Sequence, residues 1–324
     1  MFNIKKLRAM SLIRKSNELQ IQTTVKMMIY GQAGMGKTTL ALSAPKPLLL
    51  DFDNGVNRVN ENHQNDSVGI VQVTCWQDVL NVLNEDLSDY QTIVVDTVGK
   101  MMDFIIAFKC GQKQPKVQDW TAINTEFKNF VDKLSGLGKH IIFVAHRDTR
   151  KGAKDDTVYI PALREKNYNS IVTELDLLGY LEMKNEQGYV KRSITFDPTD
   201  VNDGKNTCML PGVMFLQTIL DKNGKPTGAN DFIEKQIIAK YQQMIGNKQA
   251  KVEEYNKALA DIEDSITTIT DAAGANHFLQ HIGEYSGFGN SLIMKARDLF
   301  GKKVKALGLV YNKESKQYED AAQA

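Results

Sequence analysis

Apolar residues in the N-terminal two thirds of the chain fall in short runs, each closed by a glycine or a polar side chain. Val25–Tyr30, Leu48–Asp53, Val68–Thr74, Thr92–Thr97 and Lys139–Ala145 read as strands, Leu48–Asp53 a buried one ending in acids. Between the third and fourth, Trp76, Val79, Leu80, Leu83 and Leu87 recur at helical spacing over Trp76–Leu87. Strand and helix alternating in this way predict an α/β fold, a mostly parallel sheet with helices on both faces. Leu175–Phe196 carries two strands around Asn185-Glu186-Gln187-Gly188 and predicts a hairpin that completes the sheet. The stretch 197–228 is rich in turn residues, and helical periodicity dominates beyond it. Helices are expected over Asp231–Ile245, Lys248–Ile262, Ala272–Ile282 and Ser291–Leu307, with a break at Gly246-Asn247 and fraying from Lys313. The predicted organisation is a basic arm over 1–24, an α/β domain over 25–228 and a helical C-terminal domain over 229–324.

The first strand leads into Gly31-Gln32-Ala33-Gly34-Met35-Gly36-Lys37-Thr38, which satisfies G-x-x-x-x-G-K-[ST] at every fixed position, and a short helix follows. Glycines let consecutive backbone N–H groups turn toward one anion, and the helix start adds partial positive charge. Gly31 through Thr39 are therefore expected to bind nucleotide phosphates, with Lys37 at the β- and γ-phosphates and the Thr38 hydroxyl on Mg²⁺.

Strand ends supply the remaining chemistry, because ligands of parallel sheets bind beyond the C-terminal ends of the strands. Asp53, Asp96 and His146 each stand at or just past such an end. Asp96, closing Ile93-Val94-Val95, has the form of the acid that holds Mg²⁺. Asp51 and Asp53 can each orient an attacking water, and alternation puts both on one face, Asp53 further out. The alternative for Asp53 is a turn-forming acid before Asn54-Gly55. His146 can sense the γ-phosphate by hydrogen bonding, or be a plain strand-end histidine.

Composition excludes several classes. Three scattered cysteines without C-x-x-C give neither a disulfide framework nor a zinc site and suit a reducing cytosol. No apolar run approaches a membrane span. A net charge of +1 gives no chain-wide footprint for nucleic acid, so any such contact must come from local basic loops.

The strands LLLDFD, IVVDTV and HIIFVAH, following GQAGMGKT in that order, resemble the RecA-like ATPase core, and GKTTLALSAPKPLLLDFDNG looks most like phage ATP-binding proteins of the RecA-like single-strand-annealing type. The resemblance covers about residues 25–225. It implies a RecA-like P-loop fold using ATP and Mg²⁺, with Asp53 at the catalytic-acid position, Asp96 as the Walker B acid and His146 as the sensor. It also implies ATP sites between the subunits of a homo-oligomer. The family acid is often glutamate and the sensor of RecA itself is glutamine. A basic motif late in the core, which often supplies a neighbouring subunit's site, here keeps Lys205 as the candidate trans-acting residue without its accompanying arginine. RecA-like cores contact DNA through loops after the Walker B and sensor strands. Here those regions hold Lys109, Lys113, Lys116 and Trp120, then Arg147, Arg150, Lys151 and Lys154, which suit phosphates and a stacked base.

The leading expectation is an Mg-ATP-dependent ATPase acting on single-stranded DNA in recombination or annealing, located in the cytoplasm, the host's if phage-encoded. A nucleotide-gated adaptor is the alternative, holding a replication or recombination protein through its C-terminal helices while hydrolysing little. A small-molecule kinase is the third, lacking an arginine-rich lid in the sequence.

Overall fold

The computed structural model describes residues 22–320 apart from 65–66, 153–155, 187–188 and 222. The basic arm and Lys154 therefore lie almost wholly outside the described residues. Two compact units are present: Gln22–Gln243, and the described residues from Met244 onward.

In the first unit, β1 (Lys26–Gly31), β2 (Pro47–Asp51), β3 (Gly69–Gln72), β4 (Thr92–Asp96), β5 (His140–Lys151) and β7 (Leu177–Glu186) form the parallel sheet in the order β7-β1-β5-β4-β2-β3. The strand carrying His146 thus lies between the phosphate-loop strand and the strand ending in Asp96. This is a RecA-like P-loop core. An antiparallel extension continues past β7 through β8 (Tyr189–Thr195) to β10 (Val213–Leu216), as the hairpin pattern predicts. Two short strands, β6 (Thr157–Pro161) on β5 and β9 (Lys205–Asn206) on β7, pair off this path.

Side chains of each central strand alternate between two cores, which is why the strands read as unbroken apolar runs. Met28, Tyr30, Leu50, Val95 and Phe143 face one way, against α2 (Trp76–Val82), α3 (Val98–Cys110) and α4 (Asp119–Ser135). Helix α4 buries Ile123, Phe127, Phe130, Val131 and Leu134, one stripe at helical spacing. On the opposite face Met27, Ile29, Leu49, Val94, Ile142 and Val144 meet α1 (Lys37–Ala41) and a π-helical turn over Ile233–Ile238. That turn is fixed to the α1 end, where Ile233 N donates to Ser43 Oγ at 3.0 Å and Glu234 N to Ser43 O at 3.1 Å. The expected boundary at 228 therefore moves: residues 229–243 complete the first unit, because Ile233, Ile237 and Ile238 cover the back of the phosphate-loop helix.

The expected break at Gly246-Asn247 is absent, and α6 (Ala239–Thr267) runs through it. A helix-interior glycine costs only about 1 kcal/mol relative to alanine, less than a fully buried aliphatic side chain contributes, roughly 1.5–3 kcal/mol. Ala258, Ile262 and Ile266 of this helix are buried in the second unit's core. That core also holds Phe278 of α7 (Ala272–His281) and Phe300 of α8 (Asn290–Ala306), with rings 5.2 Å apart. The chain does not fray at Lys313 but forms a hairpin, Leu309–Asn312 with Gln317–Asp320. Asn276 holds it through both a donated bond to Tyr318 O and an accepted one from Tyr318 N.

Candidate active site

The phosphate loop connects β1 to α1, and its glycines are required by geometry. A Cβ on Gly31 would collide with the carbonyl oxygen of Leu181 on β7. Gly36, directly before Lys37, sits at φ 91°, a left-handed conformation open to glycine at little cost. Lys37 is buried, and its ammonium donates to the carbonyls of Gly31 at 3.0 Å and Gln32 at 2.9 Å. Burial lowers its pKa, against the opposing pull of Asp96 and Asp53.

Three acids converge on this loop. Asp96 is buried and accepts a 2.5 Å hydrogen bond from Thr38 Oγ1. The peptide that follows it is cis. Asp51, its register partner on β2, accepts from Gly55 N at 2.9 Å and Val56 N at 3.1 Å, so both its oxygens brace the following loop. Asp53 is left to face the site. Its Oδ1 lies 2.9 Å from where a Cβ on Gly55 would stand, with Thr38 Oγ1 at 3.7 Å and Asp51 Oδ1 at 3.8 Å from the same point. The two acids thus differ in their surroundings: Asp51 is engaged by the loop amides, and Asp53, the one the sequence puts further out, stands beside Thr38.

His146 on β5 is the register partner of Gly31, beside the loop's first residue. Its ring reaches solvent, yet partial desolvation and then the Lys37 ammonium lower its pKa. The imidazole is neutral at pH 7 and can accept or donate one hydrogen bond at each nitrogen.

Oxygen donors from Thr38 and Asp96 in contact, with Asp53 near, fit Mg²⁺. Among the described residues no group of three His, Cys, Asp or Glu side chains could hold a metal unaided. Mg²⁺ needs no such cage, since it takes one or two carboxylates together with substrate phosphates.

The remaining expected contacts scatter. Arg147, directly after His146, turns to the phosphate loop. Its guanidinium donates to Gln32 Oε1 at 3.2 Å and Tyr180 Oη at 3.0 Å, and lies 4.3 Å over the Tyr159 ring. Sequence reasoning missed this role, although adjacency to the strand-end histidine was the available signal. Arg150 is ion-paired with Asp203 at 2.6 Å and Lys109 with Glu126 at 2.7 Å. Lys113, Lys116 and Lys151 are exposed. Lys205 donates to the carbonyls of Val172 at 2.9 Å and Thr173 at 3.0 Å, capping the end of α5 (Glu165–Glu174). Trp120 is covered by an arginine outside both basic regions: Arg164, beyond β6, lies 3.3 Å over its ring.

Residues 23–208 match the AAA domain family, more than half of the chain. The chain belongs to this AAA domain family. Membership and the site together make it a P-loop ATPase. The chain is 29% identical over 169 residues to the SPbeta prophage-derived uncharacterized protein YorG of Bacillus subtilis, a match covering 47% of this chain. The chain spans about half the length, 49%, of that curated relative. Among solved structures, the flagellar accessory protein FlaH of Methanocaldococcus jannaschii aligns at 11% identity with a TM-score of 0.35, over 60% of this chain and 90% of its own. The KaiC-like protein PH0186 of Pyrococcus horikoshii aligns at 13% and 0.34, over 53% and 77%. In the AAA domain described here, no helix among the described residues is long and apolar enough to cross a membrane.

The acid cluster has a consequence for stability. Burial, the largest cause, with Asp53 and Asp51 adding to it, raises Asp96 to about 6, above the roughly 3.9 of an unfolded aspartate. A carboxyl raised in the folded state favours folding while protonated. Its penalty grows as pH rises through 4 to 6 and is full above 6. Asp96→Asn, which keeps the acceptor for Thr38, should therefore stabilise the metal-free protein at pH 7 by about 2–3 kcal/mol. The gain should vanish near pH 3, as measured by denaturant unfolding at both pH values.

Proposed function

We propose that this protein is an Mg-ATP-dependent ATPase that acts on single-stranded DNA in recombination or annealing, as a homo-oligomer in the cytoplasm of a phage-infected or prophage-bearing host. The observation that carries the reading is the continuity of β5. One strand runs from His146, beside Gly31, into Arg147–Lys151 and pairs with β6. Ala162 N then returns to His146 O at 2.8 Å, so both ends of this basic ribbon are fixed at the nucleotide edge. A strand of DNA on the ribbon and on the exposed Lys113 and Lys116 would act directly on the position of His146. Trp120 offers a ring for base stacking in exchange for Arg164. The prophage origin in the relative's name supports the phage setting, and the homo-oligomer rests on the RecA-like architecture.

In this reading Lys37 and the loop amides hold the phosphate chain, and Thr38 and Asp96 hold Mg²⁺, which offsets phosphate charge when bound. Asp53 orients the attacking water and takes up its proton, while His146 registers the γ-phosphate. The test is ATP turnover by the full chain with and without single-stranded DNA at moderate salt. Turnover should rise severalfold with single strands and less with duplex. Equal rates with and without DNA, together with no DNA binding, would sink the recombination reading and favour the adaptor.

A further inference from the structure

The antiparallel extension brings one more side chain to the phosphate loop. Arg192 stands on β8, opposite Leu216 of β10. Its Nε is, among the described residues, the one buried side-chain nitrogen or oxygen without a hydrogen-bond partner. That nitrogen lies 3.9 Å from where a Cβ on Gly36 would stand, so it is close to the backbone directly before Lys37. Buried N–H groups in native proteins are nearly always paired, and one that is not needs an acceptor from outside the fold.

Beside Arg192 opens a cleft of about 650 Å³, lined among others by Gly36, Thr39, His63, Phe215 and Phe232. That volume lies within the range of small-ligand sites, and apolar residues such as Leu216 and Phe232 share the wall with polar ones such as Gln217 and Gln236. Two acids, Asp221 and Asp231, also line it, and both are engaged elsewhere. Asp231 pairs with Lys235 at 2.5 Å, and Asp221 Oδ1 accepts from the amides of Asn223 and Lys225 at 2.8 Å. The wall therefore presents a cationic donor at its phosphate-loop end, and aromatic and aliphatic side chains such as Phe215 and Phe232 among polar ones such as Gln217 and Gln236, which suits an anion joined to a heterocycle with polar edges.

We propose that Arg192 gives its Nε–H to the phosphate nearest the nucleoside, and that the adjoining cleft receives the nucleoside of the same nucleotide. The inference rests on reading Gly31–Thr39 as a nucleoside triphosphate site. It assigns a nucleotide-binding role to the antiparallel extension, outside the parallel core that supplies Lys37, Asp53 and Asp96. Arg192 recognises charge and the cleft recognises the ring, so the two parts can be tested apart.

The experiment is calorimetric titration of the full chain with ADP, ATP and inorganic tripolyphosphate, for wild type, Arg192→Gln and Ala229→Trp. Ala229 is exposed on the cleft wall, where a tryptophan would occupy the nucleoside volume. Arg192→Gln should raise the Kd for ADP and ATP by about tenfold or more, as expected for loss of a charge-assisted hydrogen bond, and Arg192→Lys should recover part of it. Ala229→Trp should raise the Kd for ADP and ATP by a similar factor and leave tripolyphosphate binding as in wild type. Wild-type ADP affinity in Arg192→Gln overturns the assignment of Arg192. Wild-type ADP affinity in Ala229→Trp overturns the assignment of the cleft, and this arm stands even if Arg192→Gln fails to fold. A wild-type protein that binds neither ATP nor tripolyphosphate would overturn the nucleotide reading itself, an outcome distinct from the other two.

Discussion

Lys37→Ala should abolish measurable ATP turnover, with kcat/KM falling by at least about a thousandfold. The ammonium is buried and held by two loop carbonyls, so it meets the phosphates already desolvated and positioned. One preorganised donor of this kind in a water-poor site contributes about 10²–10³ in rate, and the lost phosphate affinity adds to that. The same change has a second readout. After the Thr38 hydrogen bond, the Lys37 ammonium also lowers Asp96 against burial and two neighbouring acids. Without it the Asp96 carboxyl should titrate above about 6, visible by carboxyl NMR or as a shifted pH dependence of stability. Turnover within tenfold of wild type would show that the loop does not bind the reacting phosphates.

Asp53→Asn should leave nucleotide binding within a few-fold of wild type and lower kcat by about 10²–10⁴, the usual range for a general base. The amide matches the carboxylate in shape but cannot take the proton of the attacking water. Asp51→Asn provides the contrast. Its carboxylate accepts from two backbone amides of the loop after β2, and an amide can accept through one oxygen only. That substitution should cost about 1–3 kcal/mol of stability through the unpaired Val56 or Gly55 N–H, read by thermal or denaturant unfolding. If Asp51→Asn lost turnover while Asp53→Asn kept it, the roles assigned to the two acids would be reversed.

What could be read from sequence was whatever depends on neighbours along the chain. Gly31–Thr38 announces itself because phosphate binding needs particular residues at fixed offsets, and the buried strands do so because both their faces are apolar. Long-range pairing was out of reach. Lys109, Arg150 and Lys205 look like free cations in sequence, whereas Glu126, Asp203 and the end of α5 claim them in space. Gly246-Asn247 carries a local breaking signal that the buried face of α6 overrides. Arg192 gave no signal, since only strand pairing brings β8 round to Gly36.

The clasp behind the phosphate loop sets an order of events at birth. Asn230 reaches back 191 positions to the carbonyl of Thr39, and its amide also bonds His63 O. At ribosomal rates of about 5–20 residues per second, that separation is roughly 10–40 s of synthesis. Throughout that interval Leu40 and Ala41 have a strand beneath them but no cover from Ile233 and Ile237. The nascent chain therefore carries a complete phosphate-loop sequence long before it carries a supported phosphate loop. A fragment ended at 228 would present to chaperones the apolar surface of Leu40 and Ala41 that Ile233 and Ile237 otherwise cover.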